Sequence, residues 1–230
     1  SLVSLAQQIL RAKFVIFVIQ PLQAHPHIAK GVGDIQSDGD IMKVVASWSG
    51  GKESCLSCYK AISDGFEVSY ILNMISKDGR TRSHGLDQKL IVVQSQSIGI
   101  PVIQRSTTWN TYEEEFKAAI YELKRMGVSS VVFGDIHVQE HKDWVDMVCE
   151  ELDINSIVPL WNRATRDILT EFIDAGFRAI VVRLRADLLG EEWLGREIDR
   201  SFVNDLAKVG KVDLCGELGE YHTFVYDGPI

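Results

Sequence analysis

The chain has 230 residues, 46% of them hydrophobic, and a formal net charge of −8. That composition fits one soluble globular domain, or one with a modest appendage, and four cysteines in so long a chain do not make a disulfide scaffold. The acidic balance and the lack of a Lys/Arg run argue against nucleic acid as the main partner, and the longest apolar run, residues 14–19, is too short to span a bilayer.

Residues 1–41 hold an apolar patch, Pro21, His25-Pro26-His27 and a polar, glycine-containing tract, without sustained periodicity. They are expected to be an appendage outside the core or an over-extended start. The competing reading is an edge strand over 13–19. From Met42 onward the pattern alternates between strand and helix. Strands are predicted over 44–47, 68–75, 102–103, 131–133 and 179–184. Helices are predicted over 54–63, 86–97, 111–126, 141–152, 166–175 and 199–209. The helix over 111–126 is the clearest: Phe116, Ala119, Ile120, Leu123 and Met126 follow three/four spacing. Thr111 and Glu114 fit a capping box, and Gly127 supplies the stop. This alternation predicts an α/β fold with a doubly wound, mostly parallel sheet.

Between the first predicted strand and helix stands Ser49-Gly50-Gly51-Lys52-Glu53-Ser54. A strand, a tight glycine turn and a helix start aim backbone N–H groups and the positive end of a helix dipole at one point, which suits a phosphate. Lys52 adds a positive charge, and Ser49 and Ser54 add hydroxyls. The spacing is not that of a Walker A loop, since Ala46 stands five residues before Gly51 and Glu53 follows Lys52. Gly134-Asp135-Ile136 follows another predicted strand, so Asp135 is either a nucleotide-site residue or a helix N-cap. Cys55 and Cys58 read as a shared buried helix face rather than a redox or metal pair. Trp161 and Trp193 read as packing residues. His222 reads as a general base, a phosphate contact or a hydrogen-bonded strand residue.

The loop resembles the SGGKDS signature of the N-type ATP pyrophosphatases, the PP-loop enzymes, with Glu53 in place of Asp. The tail Cys215-Gly216-Glu217-Leu218-Gly219-Glu220-Tyr221-His222-Thr223-Phe224-Val225-Tyr226-Asp227-Gly228-Pro229 resembles the signature of the diphthine–ammonia ligase family, with Leu218 in place of Asn. Gly134-Asp135-Ile136, Pro159-Leu160-Trp161, Gly176 to Val182 and Trp193 to Glu197 resemble blocks of that family in the same order, and Ser83-His84-Gly85 falls on its serine/histidine loop.

The resemblance implies an adenine nucleotide alpha hydrolase-like PP-loop domain over 42–155 and a smaller, C-terminal substrate-recognition region over 156–230, the latter expected to be truncated. It implies an ATP-dependent, AMP-forming amide ligase that adenylates diphthine on the translocating elongation factor and amidates it with ammonium. ATP and Mg²⁺ are the implied cofactors, a homodimer is left open, and the implied location is the cytoplasm. ATP is expected on Ser49, Gly50, Gly51, Lys52, Glu53, Ser54, His84, Gly134 and Asp135. Lys52, Ser54, Glu220 and His222 are the expected catalytic residues, and Glu217, Gly219, Glu220, Tyr221, His222 and Thr223 the expected acceptor contacts. The metal ligands stay unassigned. Diphthine carries a quaternary ammonium, and Glu217, Glu220, Tyr221 and Phe224 are expected to cradle it. The alternatives are a PP-loop enzyme acting on another small-molecule or tRNA acceptor, and a non-catalytic nucleotide-binding module.

Overall fold

The computed structural model describes residues 42–230. The expected appendage and the strand over 13–19 lie outside the described residues. Five strands, β1 (Lys43–Ser47), β2 (Glu67–Ile75), β3 (Val102–Ser106), β4 (Ser130–Val132) and β5 (Asn155–Ile157), form one parallel sheet in the order β3-β2-β1-β4-β5. The helices are α1 (Lys52–Ser63), α2 (Gln88–Ile98), α3 (Tyr112–Arg125), α4 (Gln139–Glu151), α5 (Thr165–Asp174) and α6 (Arg200–Val209). Two further strands, β6 (Arg178–Leu184) and β7 (Tyr221–Asp227), pair antiparallel as a separate ribbon.

The side-chain alternation of a strand sorts β1 between two cores. Val44 and Ala46 join Cys55, Leu56, Cys58 and Ala61 of α1 and Ile91 of α2. Val45 faces the other way, with Phe116, Ile120 and Leu123 of α3 and Val145 and Val148 of α4. Each of these fully buried large side chains contributes roughly 1.5–3 kcal/mol. Helices therefore cover both faces of the sheet, as the alternating pattern predicted. The first core continues into the ribbon and α5–α6 through Phe172, Phe177, Val181, Phe202, Tyr221 and Val225.

One local expectation changes. The capping box lies one turn earlier than expected: Thr108 and Thr111 close it around a short 3-10 turn, and Thr111 gives α3 no side-chain cap. The tail contains β7, which includes His222, for which a strand residue was one of the readings. Asp199 caps α6 by accepting from the Phe202 amide. No helix among the described residues is long and apolar enough to cross a membrane. Cys55, Cys58, Cys149 and Cys215 are buried free thiols. Burial pushes Cys58 up to about 12, which leaves it unreactive at neutral pH.

Candidate active site

β1 and β4 are neighbours, yet the chain visits β2 and β3 between them. Strand order thus reverses between β1 and β4, and the crevice beyond their carboxyl ends is where such sheets bind ligands. Two loops open there, Trp48 to Gly51 after β1 and Phe133 to Val138 after β4. Gly50 has φ +81°, a left-handed conformation that favours glycine. Gly51 then caps α1 without any side-chain hydrogen bond of its own. The Gly51 amide donates to Ser49 Oγ at 3.2 Å, Ser49 Oγ donates to Ser54 Oγ at 3.1 Å, and Ser54 Oγ donates to the Gly51 carbonyl at 3.0 Å. The amides of Ser49, Gly50, Glu53 and Ser54 make no hydrogen bond among the described residues. They are the unsatisfied donors that an anion takes up at a helix start.

The missing cap arrives from the far end of the chain. Thr223 Oγ1, on β7, accepts the Lys52 amide at 3.2 Å. The Val225 amide donates to the Gly50 carbonyl at 3.0 Å. Gln94 of α2 ties the two together, donating from Nε2 to Gly50 O at 3.1 Å and Val225 O at 2.7 Å, while its Oε1 accepts from Trp48 Nε1 at 2.9 Å. The Lys52 ammonium is 3% exposed; it donates to the Cys215 carbonyl at 2.6 Å and lies 4.5 Å above the Tyr221 ring. It also sits 2.7 Å from Glu53 Oε1, an ion pair in which that oxygen accepts no hydrogen bond. Lys52 is thus held between the Cys215 carbonyl and the Glu53 carboxylate.

His84 closes the loop from above. Its Nδ1 is 2.8 Å from the Thr223 carbonyl, so Nδ1 carries the proton and Nε2 a lone pair. The ring lies 4.9 Å from that of His222. Burial, His222 and Lys52 hold His84 down to about 3, and burial, Lys52 and Arg183 hold His222 down to about 4. Both rings are neutral at physiological pH.

The acidic side comes from the β4 loop and the tail. Glu217 Oε1 accepts the Ile136 amide at 3.1 Å, and Asp135 Oδ1 is 3.3 Å from His141 Nδ1. Asp135, His141 and Glu217 each offer one ligand atom, all within 4.8 Å of one another. Burial, with Glu53 and Asp135 adding like charge, pushes the Glu217 carboxyl up to about 7. The Asp135 carboxylate raises His141 by hydrogen bonding.

These groups share a cavity of about 700 Å³, a size suited to a nucleotide. Ser49, Lys52, Glu53, Ser54, His84, Gly134 and Asp135 line it, as do Glu217, Gly219, Tyr221, His222 and Thr223. Gly50 and Gly51 shape the loop behind it. Glu220 stands apart from this group. It is 3% exposed, and its two carboxylate oxygens accept the Asp213 and Leu218 amides at 3.0 Å each, so it holds the turn that presents Glu217. Phe224 is fully buried in the core, and the Tyr221 ring lies beneath Lys52. Of the four groups expected to cradle a quaternary ammonium, Glu217 therefore brings a carboxylate to the cavity with its second oxygen uncommitted. Trp193 packs on Phe202, in keeping with a packing role.

Sequence reasoning missed Gln94, Asn73 and an aromatic wall. Asn73 Nδ2 donates to the Trp48 carbonyl at 2.8 Å and so steadies the start of the loop. Trp109, Tyr112, Phe133 and Trp144 line the cavity from three separate stretches of chain. The Tyr112 ring stacks on Trp109 at 6.1 Å and tilts against Trp144 at 5.8 Å. The one available signal was Trp109 standing three residues past the end of β3, on the ligand side of the sheet.

The family model described as Diphthamide synthase N-terminal domain matches residues 42–156, and that described as Diphthamide synthase C-terminal domain matches residues 164–230. The chain is 27% identical over 214 residues to Diphthine--ammonia ligase of Rattus norvegicus, covering 82% of this chain and 80% of that protein. It is 26% identical to the Homo sapiens protein of that name over the same shares. Against the Schizosaccharomyces pombe protein of the same name it is 26% identical, over 82% of this chain and 35% of that longer protein.

Proposed function

Because this chain belongs to the diphthamide synthase family, we propose that it is an ATP-dependent ligase that amidates the carboxylate of diphthine with ammonia. The carboxylate attacks the α-phosphorus of ATP, pyrophosphate leaves, and ammonia displaces AMP from the resulting acyl adenylate. The acceptor is carried by the translocating elongation factor, so the reaction belongs to the cytoplasm. Residues 42–155 supply the nucleotide half of the site, and the acceptor is met by residues of 156–230 together with the aromatic wall of the first domain.

The observation that carries this reading is the docking of β7 on the glycine loop, which puts Glu217, His222 and Thr223 in one cavity with Lys52 and the loop amides. Two negatively charged reactants have to meet there. The unpaired amides of Glu53 and Ser54 and the ammonium of Lys52 receive the phosphates and stabilise the departing charge. Lys52 is held by the Cys215 carbonyl and the Tyr221 ring, so its charge is in place before the substrate arrives. The nucleophile is ammonia, not ammonium; His84 and His222, held down to about 3 and about 4, stay neutral beside the phosphates and serve as hydrogen-bonding groups rather than as bases.

Mg²⁺ fits the donor set. Asp135 and Glu217 are hard oxygen donors in the same cavity as the loop, and the crowding of Glu53, Asp135 and Glu217 calls for a positive partner. Asp135 and Glu217 would hold the ion, and it would offset triphosphate charge. His141 suits this ion poorly and serves instead as the hydrogen-bond partner of Asp135.

The test is product analysis with ATP, ammonium and elongation factor bearing diphthine. AMP, pyrophosphate and amidated factor in equal amounts are expected. ADP and orthophosphate as products would refute the pyrophosphatase chemistry.

A further inference from the structure

The aromatic wall has no task in phosphate binding or pyrophosphate release. We propose that Tyr112 and Trp144 seat the quaternary ammonium of the acceptor. The assignment rests on the diphthine-directed reading above and adds to it the residues that recognise the cation.

A quaternary ammonium has no N–H to donate, so carboxylates alone hold it poorly. Its diffuse positive charge is met best by the faces of aromatic rings. Tyr112 and Trp144 are 5.8 Å apart between centroids and inclined at 56°. Two rings set at such an angle form adjoining walls for a tetrahedral group. They do not form the parallel slot that a planar base requires. Trp109 is less open to a new cation, because the Arg82 guanidinium already lies 4.1 Å from its ring centroid.

The seat is fixed from behind. Phe116, fully buried, meets Trp144 edge-on at 5.3 Å and Tyr112 in a stacked arrangement at 6.4 Å. Trp144 Nε1 donates to Glu113 Oε2 at 3.0 Å, which sets the indole's orientation. The charges agree as well. The lining carboxylates are Glu53, Asp135 and Glu217, and the lining ammonium, Lys52, is engaged by Cys215 and Glu53.

Two measurements test the seat. The first uses the wild-type enzyme with two acceptors, diphthine and an isostere in which tert-butyl replaces trimethylammonium. The neutral isostere should raise the acceptor KM roughly tenfold and leave the ATP KM unchanged. The second compares Tyr112→Leu with Tyr112→Phe. Loss of the ring should raise the acceptor KM by a similar factor, Tyr112→Phe should retain wild-type values, and ATP affinity should be unchanged in both. Equal KM for the two acceptors in an active wild type would overturn the seat alone. A collapse of ATP affinity in Tyr112→Leu with normal acceptor KM would overturn it too, giving the wall to the nucleotide. No AMP from diphthine in the wild type would remove the underlying substrate assignment, and the seat with it.

Discussion

Gly51→Ala drives a methyl group into the His84 ring. Gly51 has φ −92°, open to any residue, so the backbone itself bears no strain. A β-carbon there would overlap His84 Cε1 and lie 3.1 Å from its Nδ1. The ring cannot retreat freely, since it is pinned by the Thr223 carbonyl and packed beside His222. Overpacking of this kind costs about 1–3 kcal/mol, and loss of the Nδ1 hydrogen bond about 1 kcal/mol more. A total of about 2–4 kcal/mol corresponds to a fall in Tm of roughly 4–16 °C for a domain of this size. His84→Ala should cost about 1–3 kcal/mol by itself. If the clash is the cause, the double variant should be about as stable as His84→Ala alone, giving a coupling energy near 2 kcal/mol or more. Urea unfolding of the four proteins at constant m-value measures this. Strictly additive losses would refute the idea that His84 joins loop and tail through Gly51.

Lys52→Ala should slow AMP formation roughly 10²-fold or more with the products unchanged, measured in single-turnover experiments; an unaltered rate removes Lys52 from the chemistry. Glu217 has its carboxyl raised in the folded state, so the folded protein binds the extra proton and stability should fall as pH rises from about 4.5 to about 7. Glu217→Gln should flatten that slope in denaturation curves taken across the window. His84 and His222 act in the opposite sense: their depressed values in the folded state cost stability as pH falls from about 6.5 toward about 4. Glu220→Gln should lose about 1–3 kcal/mol of stability, because an amide N–H then faces a backbone N–H.

The parallel sheet was legible because its central strands β1 and β4 are buried on both faces and its helices keep one apolar stripe, as Phe116, Ile120 and Leu123 do. The glycine loop was legible because Gly50, Gly51 and Lys52 carry a local geometric signature. β5 was not, since Asn155-Ser156-Ile157 is too short and polar to show a period. β7 was hidden by the glycines and carboxylates around it, though Tyr221, Thr223 and Val225 do alternate inward. The sequence marked Glu217 and Glu220 as alike; what separates them is that one carboxylate meets the β4 loop and the other meets its own turn. The aromatic wall joins residues of the loop after β3, of α3, of the loop after β4 and of α4, and no linear spacing reveals such a meeting.

The brace between Thr223 and Lys52 spans 171 residues of chain. A growing polypeptide exposes the glycine loop, its strand and its helix long before β7 emerges, and closing so long a loop carries an entropic cost that local contacts do not. The loop is therefore completed late in biosynthesis: a nascent or clipped chain ending before β7 holds the unpaired amides at the start of α1 without their clasp.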